Sequence, residues 1–364
     1  MKTKAALFRA VGQPLEVREI ELREPRPDEV LVRIAAVGIC GTDLHVVKGD
    51  WDRPKPMVLG HEGAGTVEAV GEAVDGLAEG DAVVLSWAPS CGRCADCVRG
   101  RPAMCIELQR GIAAGTLPDG TTGMEADGEI VYRGTATGAF TERLTVGADV
   151  ALPLGEGILL EEAALLGCAA LTGVGAVLFQ GRPRPGSLVL VVGAGGVGQF
   201  CVQGARIAGA AEIVCVDPLE SRLEQAALLG ATRTATPDTL KATMREIARD
   251  GVDVAFDAVG DPQTTALALR WTRNGGRTVL VGLPAAGERL DLDPIEFVRR
   301  EKELTGSMYG SEDPRVSLPV LLEHVRSGAL QLVPMVGPRF SLDDVDAAVQ
   351  AALAGPPGRV IVTP

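Results

Sequence analysis

The chain has 364 residues, of which 46% are hydrophobic and 3% aromatic, and its formal net charge is −13. This length suits two domains with buried cores, and the negative charge argues against nucleic acid or a membrane surface as a partner. No apolar run reaches the roughly 20 residues that span a bilayer, and the N-terminal run is too short for a signal peptide, so the sequence predicts a soluble, cytoplasmic protein.

The first third of the chain alternates polar and apolar residues in short runs, which predicts a β-rich unit. The predicted strands cover residues 5–8, 15–20, 30–34, 63–71 and 81–86. The Gly- and Thr-rich segment 111–138 predicts a long surface excursion, after which residues 140–146 return to a strand.

From Ser187 onward, predicted strands and helices alternate, which is typical of an α/β fold with a doubly wound parallel sheet. The strands are 188–192, 212–217, a short one near 234, 253–257 and 277–282, and the helices are 196–208, 220–229, 239–248 and 262–271. Two helices (318–326 and 343–353) and a strand (359–363) follow. We therefore expect one domain at 170–307 and another formed by 1–169 with 308–364.

Four cysteines lie within 15 positions, with the spacing C-x2-C-x2-C-x7-C (Cys91, Cys94, Cys97, Cys105). Four thiolates this close can complete a tetrahedral shell around Zn²⁺ and leave no position open for chemistry. An iron–sulfur cluster also uses four thiolates, and free surface thiols are the remaining alternative. The compact lobe at about 91–105 favours a structural zinc.

A glycine-rich loop follows the apolar strand 188–192 and precedes a helix (Gly193, Gly195, Gly196, Val197, Gly198). In this context the pattern predicts a dinucleotide site, with the pyrophosphate at the helix N-terminus. Asp217 ends the next strand, where a carboxylate binds the adenosine ribose and repels a 2′-phosphate, so NAD is favoured over NADP. Arg222, five residues further on, is a candidate for a further contact to the ribose. The alternative is a glycine-rich turn with a capping aspartate.

Cys40, His61 and Cys168 form a candidate Cys₂His zinc site with one open coordination position, where an alcohol oxygen can bind and lose its proton more easily. Thr42 and His45 are candidates to carry that proton to solvent, although His45 could also be an ordinary helix residue. Asp43 is a candidate to orient His61. Glu62 is a candidate for an alternative or transient ligand, with a purely structural role equally open.

Together these motifs resemble the zinc-dependent medium-chain alcohol dehydrogenases, in which a Cys₂His site is the known catalytic arrangement. The resemblance covers essentially the whole chain. The long segment after Cys105 is similar to the longer-loop branch, which includes class III, thiol-dependent formaldehyde dehydrogenases and aryl-alcohol dehydrogenases. Many members of that branch have a basic residue after the first zinc cysteine, where this chain has Gly41, so one phosphate contact is expected to be missing.

The resemblance implies a GroES-like catalytic domain and a Rossmann coenzyme domain with the substrate cleft between them. It implies two zinc ions per chain and NAD as cofactors, Trp87 and Trp51 in the alcohol pocket, Thr172 and Val197 at the nicotinamide, and Arg359 at the pyrophosphate. It also implies a homodimer, with a tetramer as the alternative. The predicted reaction is reversible oxidation of alcohols, with medium-chain or aromatic primary alcohols favoured. The open alternatives are a thiol-dependent formaldehyde dehydrogenase and a zinc- and NAD-binding redox sensor without turnover.

Overall fold

The computed structural model covers Met1–Pro364 and divides into two compact units. The first unit contains Met1–Cys168, Asp313–Val316 and Met335–Pro364, and the second contains Ala169–Glu312 and Ser317–Pro334. The segments 308–312 and 317–334 thus differ from the sequence prediction, which placed them in the first domain. Segment 317–334 packs with the second unit because the Gln203 and Arg206 side chains of that unit donate to the backbone carbonyls of Gln331 and Ala329.

Strands and helices are numbered here in chain order. The strands are β1 (Lys2–Phe8), β2 (Glu16–Leu22), β3 (Glu29–Gly38), β4 (Met57–Val58), β5 (Glu62–Val70), β6 (Ala82–Leu85), β7 (Met124–Ala126), β8 (Glu129–Ile130), β9 (Tyr132–Arg133), β10 (Arg143–Gly147), β11 (Ala151–Pro153), β12 (Leu188–Val192), β13 (Glu212–Val216), β14 (Arg233–Ala235), β15 (Val252–Asp257), β16 (Thr272–Leu280), β17 (Glu303–Gly306), β18 (Val336–Ser341) and β19 (Arg359–Thr363). The helices are α1 (Gly41–Lys48), α2 (Ala95–Val98), α3 (Ile106–Ala114), α4 (Leu160–Ala163), α5 (Ala169–Gly175), α6 (Gly196–Ile207), α7 (Glu220–Leu229), α8 (Leu240–Ile247), α9 (Pro262–Trp271), α10 (Ile295–Val298), α11 (Pro314–Arg326) and α12 (Val345–Ala354). None of these helices alone is long and apolar enough to cross a membrane, and only one bent pair, Leu160–Gly167 with Ala169–Gly181, meets that test by length and composition.

The first unit contains two sheets. One has six strands in the order β8-β7-β2-β1-β4-β9, and the other has seven, in the order β11-β6-β5-β3-β19-β18 with β10 on β3. The C-terminal strand β19 pairs with β3 through Ile361 and Val362, so the end of the chain completes the sheet that begins near the N-terminus. The predicted return of the chain to its first domain is therefore confirmed for this strand.

The prediction of a surface excursion at 111–138 is wrong. This segment contains the end of α3 and three short strands, of which β7 pairs with β2 and β9 pairs with β4. Met124 and Arg133 are fully buried in it. The strands have only two or three residues each, which is too short for a period-2 pattern to stand out among the glycines and threonines.

The second unit contains a six-stranded sheet in the order β14-β13-β12-β15-β16-β17. All its pairings are parallel. Along β12, Val189 and Val191 enter one core, and Leu190 and Val192 enter another. Because helices cover both faces of such a sheet, its strands are apolar without alternation. The predicted doubly wound sheet is confirmed, and its strand order reverses between β12 and β15, where such folds bind their ligands.

Candidate metal and nucleotide sites

Three connections within the first unit bring Cys40, His61 and Cys168 together. Cys40 precedes α1, His61 lies between β4 and β5, and Cys168 directly precedes α5. All three side chains are buried, and their ligand atoms lie within 4.8 Å of one another. Two thiols and an imidazole at this spacing fit a tetrahedral Zn²⁺ that keeps its fourth position open.

Asp43 fixes two of these ligands through one buried carboxylate. Its Oδ2 accepts a hydrogen bond from the Cys40 backbone N–H at 3.0 Å, and its Oδ1 accepts one from the Gly60 backbone N–H at 3.0 Å. Oδ1 also lies 3.3 Å from His61 Nδ1. This contact leaves Nε2 as the ring nitrogen that can bind a metal. Burial alone would lower the pKa of His61, but the Asp43 carboxylate and Cys40 raise it well above its usual value.

The two buried thiols, Cys40 and Cys168, have pKa values that are shifted in opposite directions. The hydrogen bond from Cys168 lowers the pKa of Cys40 well below its usual value, and the same hydrogen bond, together with burial, raises the pKa of Cys168. Of the two thiols, Cys40 is therefore the one that loses its proton more readily. Because cysteine binds zinc as the thiolate, loading this group with metal releases protons.

Glu62 and Arg359 form a buried ion pair next to this group. Arg359 Nε donates to Glu62 Oε1 at 3.0 Å, and Nη2 donates to Oε2 at 2.9 Å. Burial raises the pKa of the Glu62 carboxyl to about 7, while Arg359 opposes the shift. The sequence assigned these two residues separate roles, at the metal and at the pyrophosphate. Their mutual pairing was not predicted, because they lie on β5 and β19, far apart in the chain.

His45 lies on α1 and is held from two sides. Its Nδ1 is 2.7 Å from Asp50 Oδ2, and its ring stacks on Trp51 with centroids 4.5 Å apart. Asp50 is a contact that the sequence analysis missed, although its position directly after the Gly49 helix end was a signal. Trp51 was predicted in the alcohol pocket, and the structure shows it stacked on His45. Thr42 is half-buried on the first turn of the same helix.

Trp87 lies next to His61, one of the three candidate metal ligands. Its ring is buried and lies edge-on to His61, with centroids 6.1 Å apart at an interplanar angle of 87°. An indole in this orientation places apolar surface beside a polar metal group. This position is compatible with the predicted role of Trp87 in binding the apolar part of an alcohol.

The four clustered cysteines form a second group, with their Sγ atoms within 4.8 Å of one another (Cys91, Cys94, Cys97, Cys105). None of the cysteines in the chain forms a disulfide. Backbone N–H donors at Cys97 and Ile106 lower the pKa of Cys94 to about 6. Four thiols with N–H groups directed at them are the donor set of a closed, structural zinc site.

The glycine loop has the geometry that a pyrophosphate requires. Gly193 has φ +92°, which favours glycine, and a Cβ at Gly198 would lie 1.7 Å from the Gly193 carbonyl oxygen. By contrast, a Cβ at Gly195 would meet nothing within 4 Å. The first and third glycines therefore make the tight turn and its packing possible, while the second leaves open space at the N-terminus of α6.

Asp217 lies at the carboxyl end of β13, beside this loop. Its Oδ2 accepts a hydrogen bond from the Ala194 N–H at 2.8 Å, and Oδ1 accepts one from the Leu219 N–H at 2.9 Å. Arg222 Nη1 lies 3.6 Å from Oδ2. Within the same unit, Thr172 is buried on α5, where a Cβ at the next residue, Gly173, would lie 2.5 Å from the Val197 carbonyl oxygen. Among the predicted nucleotide residues, those of the second unit thus gather around the start of α6, whereas Arg359 belongs to the first unit and pairs with Glu62.

Two family models match the chain. One, described as the alcohol dehydrogenase GroES-like domain, matches residues 26–156, and the other, described as zinc-binding dehydrogenase, matches residues 196–324. An S-(hydroxymethyl)glutathione dehydrogenase from Synechocystis sp. is 35% identical to this chain over 355 residues. The match covers 96% of this chain and 96% of that protein. The matches therefore extend over both units.

Solved structures also match this chain over both of its units. An alcohol dehydrogenase zinc-binding domain protein from Burkholderia ambifaria is 34% identical, with a TM-score of 0.94, and the match covers 100% of this chain and 99% of that one. A benzyl alcohol dehydrogenase from Acinetobacter calcoaceticus is 30% identical, with a TM-score of 0.93 and the same coverage. These proteins share the fold of this chain over its full length.

Proposed function

Since the chain belongs to the zinc-binding alcohol dehydrogenase family, we propose that it catalyses reversible, NAD-dependent oxidation of alcohols to aldehydes or ketones. The observation that carries the proposal is the convergence of three buried side chains that can bind a metal, Cys40, His61 and Cys168. A tetrahedral zinc held by three such ligands would keep one position for the alcohol. The second cysteine group is proposed to hold a structural zinc, which gives two zinc ions per chain. The expected homodimer and cytoplasmic location stay predictions.

Each residue of the site has a proposed task. When bound by Cys40, His61 and Cys168, a zinc ion supplies a Lewis acid that lowers the pKa of an alcohol. Asp43 keeps His61 in the orientation that this requires. The Thr42 hydroxyl receives the alcohol proton and passes another one on. His45 accepts the proton that leaves Thr42, and it does so at Nε2 because its Nδ1 is hydrogen-bonded to Asp50.

NAD is the proposed coenzyme, because the Asp217 carboxylate would repel the 2′-phosphate of NADP. Like charges placed together cost several kcal/mol, so Asp217→Gly is expected to raise the NADP/NAD ratio of kcat/KM by about 10²-fold. The matched variant Asp217→Asn keeps the size and removes the charge, and it should move the ratio in the same direction. Glu220→Gln removes an exposed charge on α7 and serves as the control. An unchanged ratio in both Asp217 variants would refute the ribose role.

Primary alcohols with an aromatic or medium-length apolar group are the proposed substrates. The buried indole of Trp87 lies beside His61 and perpendicular to its ring, so apolar surface lies at the candidate metal site. The similarity to a benzyl alcohol dehydrogenase supports the same class. A panel of benzyl, medium-chain and short-chain alcohols tests this, with NADH formation as the signal. A kcat/KM for ethanol above that for benzyl alcohol would contradict the proposed preference.

Thiol-dependent formaldehyde oxidation is the second candidate function. It is favoured by the relative from Synechocystis sp., whose name states that it acts on S-(hydroxymethyl)glutathione. The two candidates separate in one assay, in which formaldehyde oxidation is measured with and without glutathione beside benzyl alcohol oxidation. Activity on formaldehyde only with the thiol, together with no activity on benzyl alcohol, would replace the first proposal by the second.

A further inference from the structure

A buried glutamine joins the glycine loop to helix α7 within the second unit. Gln199 lies near the start of α6 and is 0% exposed. Its Nε2 donates to the Ala194 carbonyl at 3.1 Å and to the Arg222 carbonyl at 2.8 Å. One side-chain amide therefore spans the loop that precedes α6 and the first turn of α7.

The surroundings of this amide fix its orientation. The nitrogen is the only atom of the Gln199 side chain that can donate to a carbonyl, so it faces both acceptors and the oxygen faces away. Gln199 Oε1 is buried there and has no hydrogen-bond partner. A buried acceptor without a partner destabilises the folded chain, and an apolar side chain of similar size would avoid that cost. The contribution of Gln199 therefore lies in the two carbonyls that it holds.

The first of these carbonyls belongs to the same peptide group as the Gly195 N–H. This peptide is trans, so its C=O and its N–H point in opposite directions. Because the Ala194 carbonyl points to the buried Gln199, the Gly195 N–H points away from it. A Cβ at Gly195 would meet nothing within 4 Å, so open space lies at this residue. Gln199 thus holds a backbone donor in place at the N-terminus of α6, where a pyrophosphate would bind.

Ala194 and Arg222 also contact Asp217, the proposed ribose ligand. The Ala194 N–H donates to Asp217 Oδ2 at 2.8 Å, and Arg222 Nη1 lies 3.6 Å from the same oxygen. The four residues therefore form a closed ring of contacts, with Asp217 on one side and Gln199 on the other. A shift of either carbonyl that Gln199 holds would move a group that contacts Asp217.

We propose that Gln199 is a positioning residue for the dinucleotide, which aims the Gly195 N–H at the pyrophosphate and keeps Asp217 aligned with the ribose. Gln199 is fully buried, so it acts through these groups and does not touch the coenzyme itself. The inference rests on the proposed use of NAD, and it adds a residue that the glycine pattern does not include.

Binding of NADH, followed by its fluorescence without any alcohol, tests this role. Gln199→Met keeps the length of the side chain and removes both N–H donors, so we expect the dissociation constant of NADH to rise about 10-fold. Gln203→Met is the matched control. Gln203 lies one turn further along α6, is also 0% exposed, and exchanges two hydrogen bonds with the backbone of Gln331, at 3.1 and 2.8 Å. Both variants should lose thermal stability to a similar extent, but Gln203→Met should keep its NADH affinity within about twofold of wild type.

Steady-state kinetics give a second readout. The ring of contacts lies at the pyrophosphate and ribose end of the site, so Gln199→Met should raise KM for NAD while kcat at saturating NAD stays at or above the wild-type value. If Gln199→Met does not fold, Gln199→Glu and its match Gln203→Glu replace the methionine pair, since a carboxylate keeps the shape of the amide and cannot donate.

Equal changes in NADH affinity at positions 199 and 203 would show that Gln199 acts only through general stability, and would overturn the inference. A fall in kcat at saturating NAD with an unchanged KM would also overturn it. A wild-type protein that binds no NADH would give a different result, because it would overturn the proposed coenzyme together with this inference.

Discussion

Replacing Cys168 with alanine is expected to lower kcat/KM for alcohol oxidation by about 10³-fold or more. Only Cys40 and His61 then remain to hold the zinc ion. The ion is lost or misplaced, and with it a Lewis acid that lowers the activation free energy by several kcal/mol. Zinc content should fall from two ions per chain to one. NADH binding should stay nearly unchanged, because the glycine loop and Asp217 belong to the other unit.

Cys201→Ala is the matched control for this prediction. Cys201 is also fully buried, but it lies on α6 and belongs to neither metal group. The same substitution there should leave zinc content and turnover near their wild-type values. If Cys168→Ala kept two zinc ions and normal turnover, Cys168 would not be a ligand.

The second large effect is expected on stability. Arg359→Met leaves the Glu62 carboxylate, which is 0% exposed, without the guanidinium that pairs with it. Breaking a buried ion pair from one side costs about 3–5 kcal/mol in free energy of unfolding, because Glu62 must then either keep its charge without a partner or take up a proton. The paired variant Glu62→Leu with Arg359→Met removes both charges and should recover most of that loss. Denaturant unfolding of the single and double variants measures the difference.

A surface pair in the same unit provides the control. Arg339 Nε donates to Glu161 at 2.8 Å, but its side chain is 56% exposed. Arg339→Met should therefore cost less than about 1 kcal/mol. Equal losses for Arg359→Met and Arg339→Met would show that the buried pair does not contribute to stability in the way its geometry indicates.

Much of the fold followed from the sequence because its signals are local. The unbroken apolar run at 188–192 indicates a strand covered on both faces, and β12 shows this arrangement. The glycine spacing reflects contacts within one turn, such as the approach of Gly198 to the Gly193 carbonyl. Likewise, the cysteine spacing at 91–105 corresponds to four thiols that do come together.

The features that the sequence did not reveal depend on contacts between distant segments. The Glu62–Arg359 pair joins residues 297 positions apart, and neither residue has a local pattern that names its partner. Arg133 lies in a Gly- and Thr-rich segment, where a charged residue predicts exposure, yet it is fully buried because backbone carbonyls accept from its guanidinium. Asp50 is different, because it lies only five residues from His45. A polar residue after a helix usually only forms part of the turn, so its position did not indicate a contact with the histidine.

Zinc-dependent alcohol oxidation is tested by NADH formation from benzyl alcohol, measured on the purified protein as isolated, after zinc removal with a chelator and after zinc is restored. We expect two zinc ions per chain, turnover with NAD, loss of turnover when the ion at Cys40, His61 and Cys168 is removed, and recovery when zinc returns. A protein that holds two zinc ions and binds NADH, yet oxidises no alcohol and reduces no aldehyde in a broad panel, would contradict it. That result would support a zinc- and NAD-binding protein without turnover.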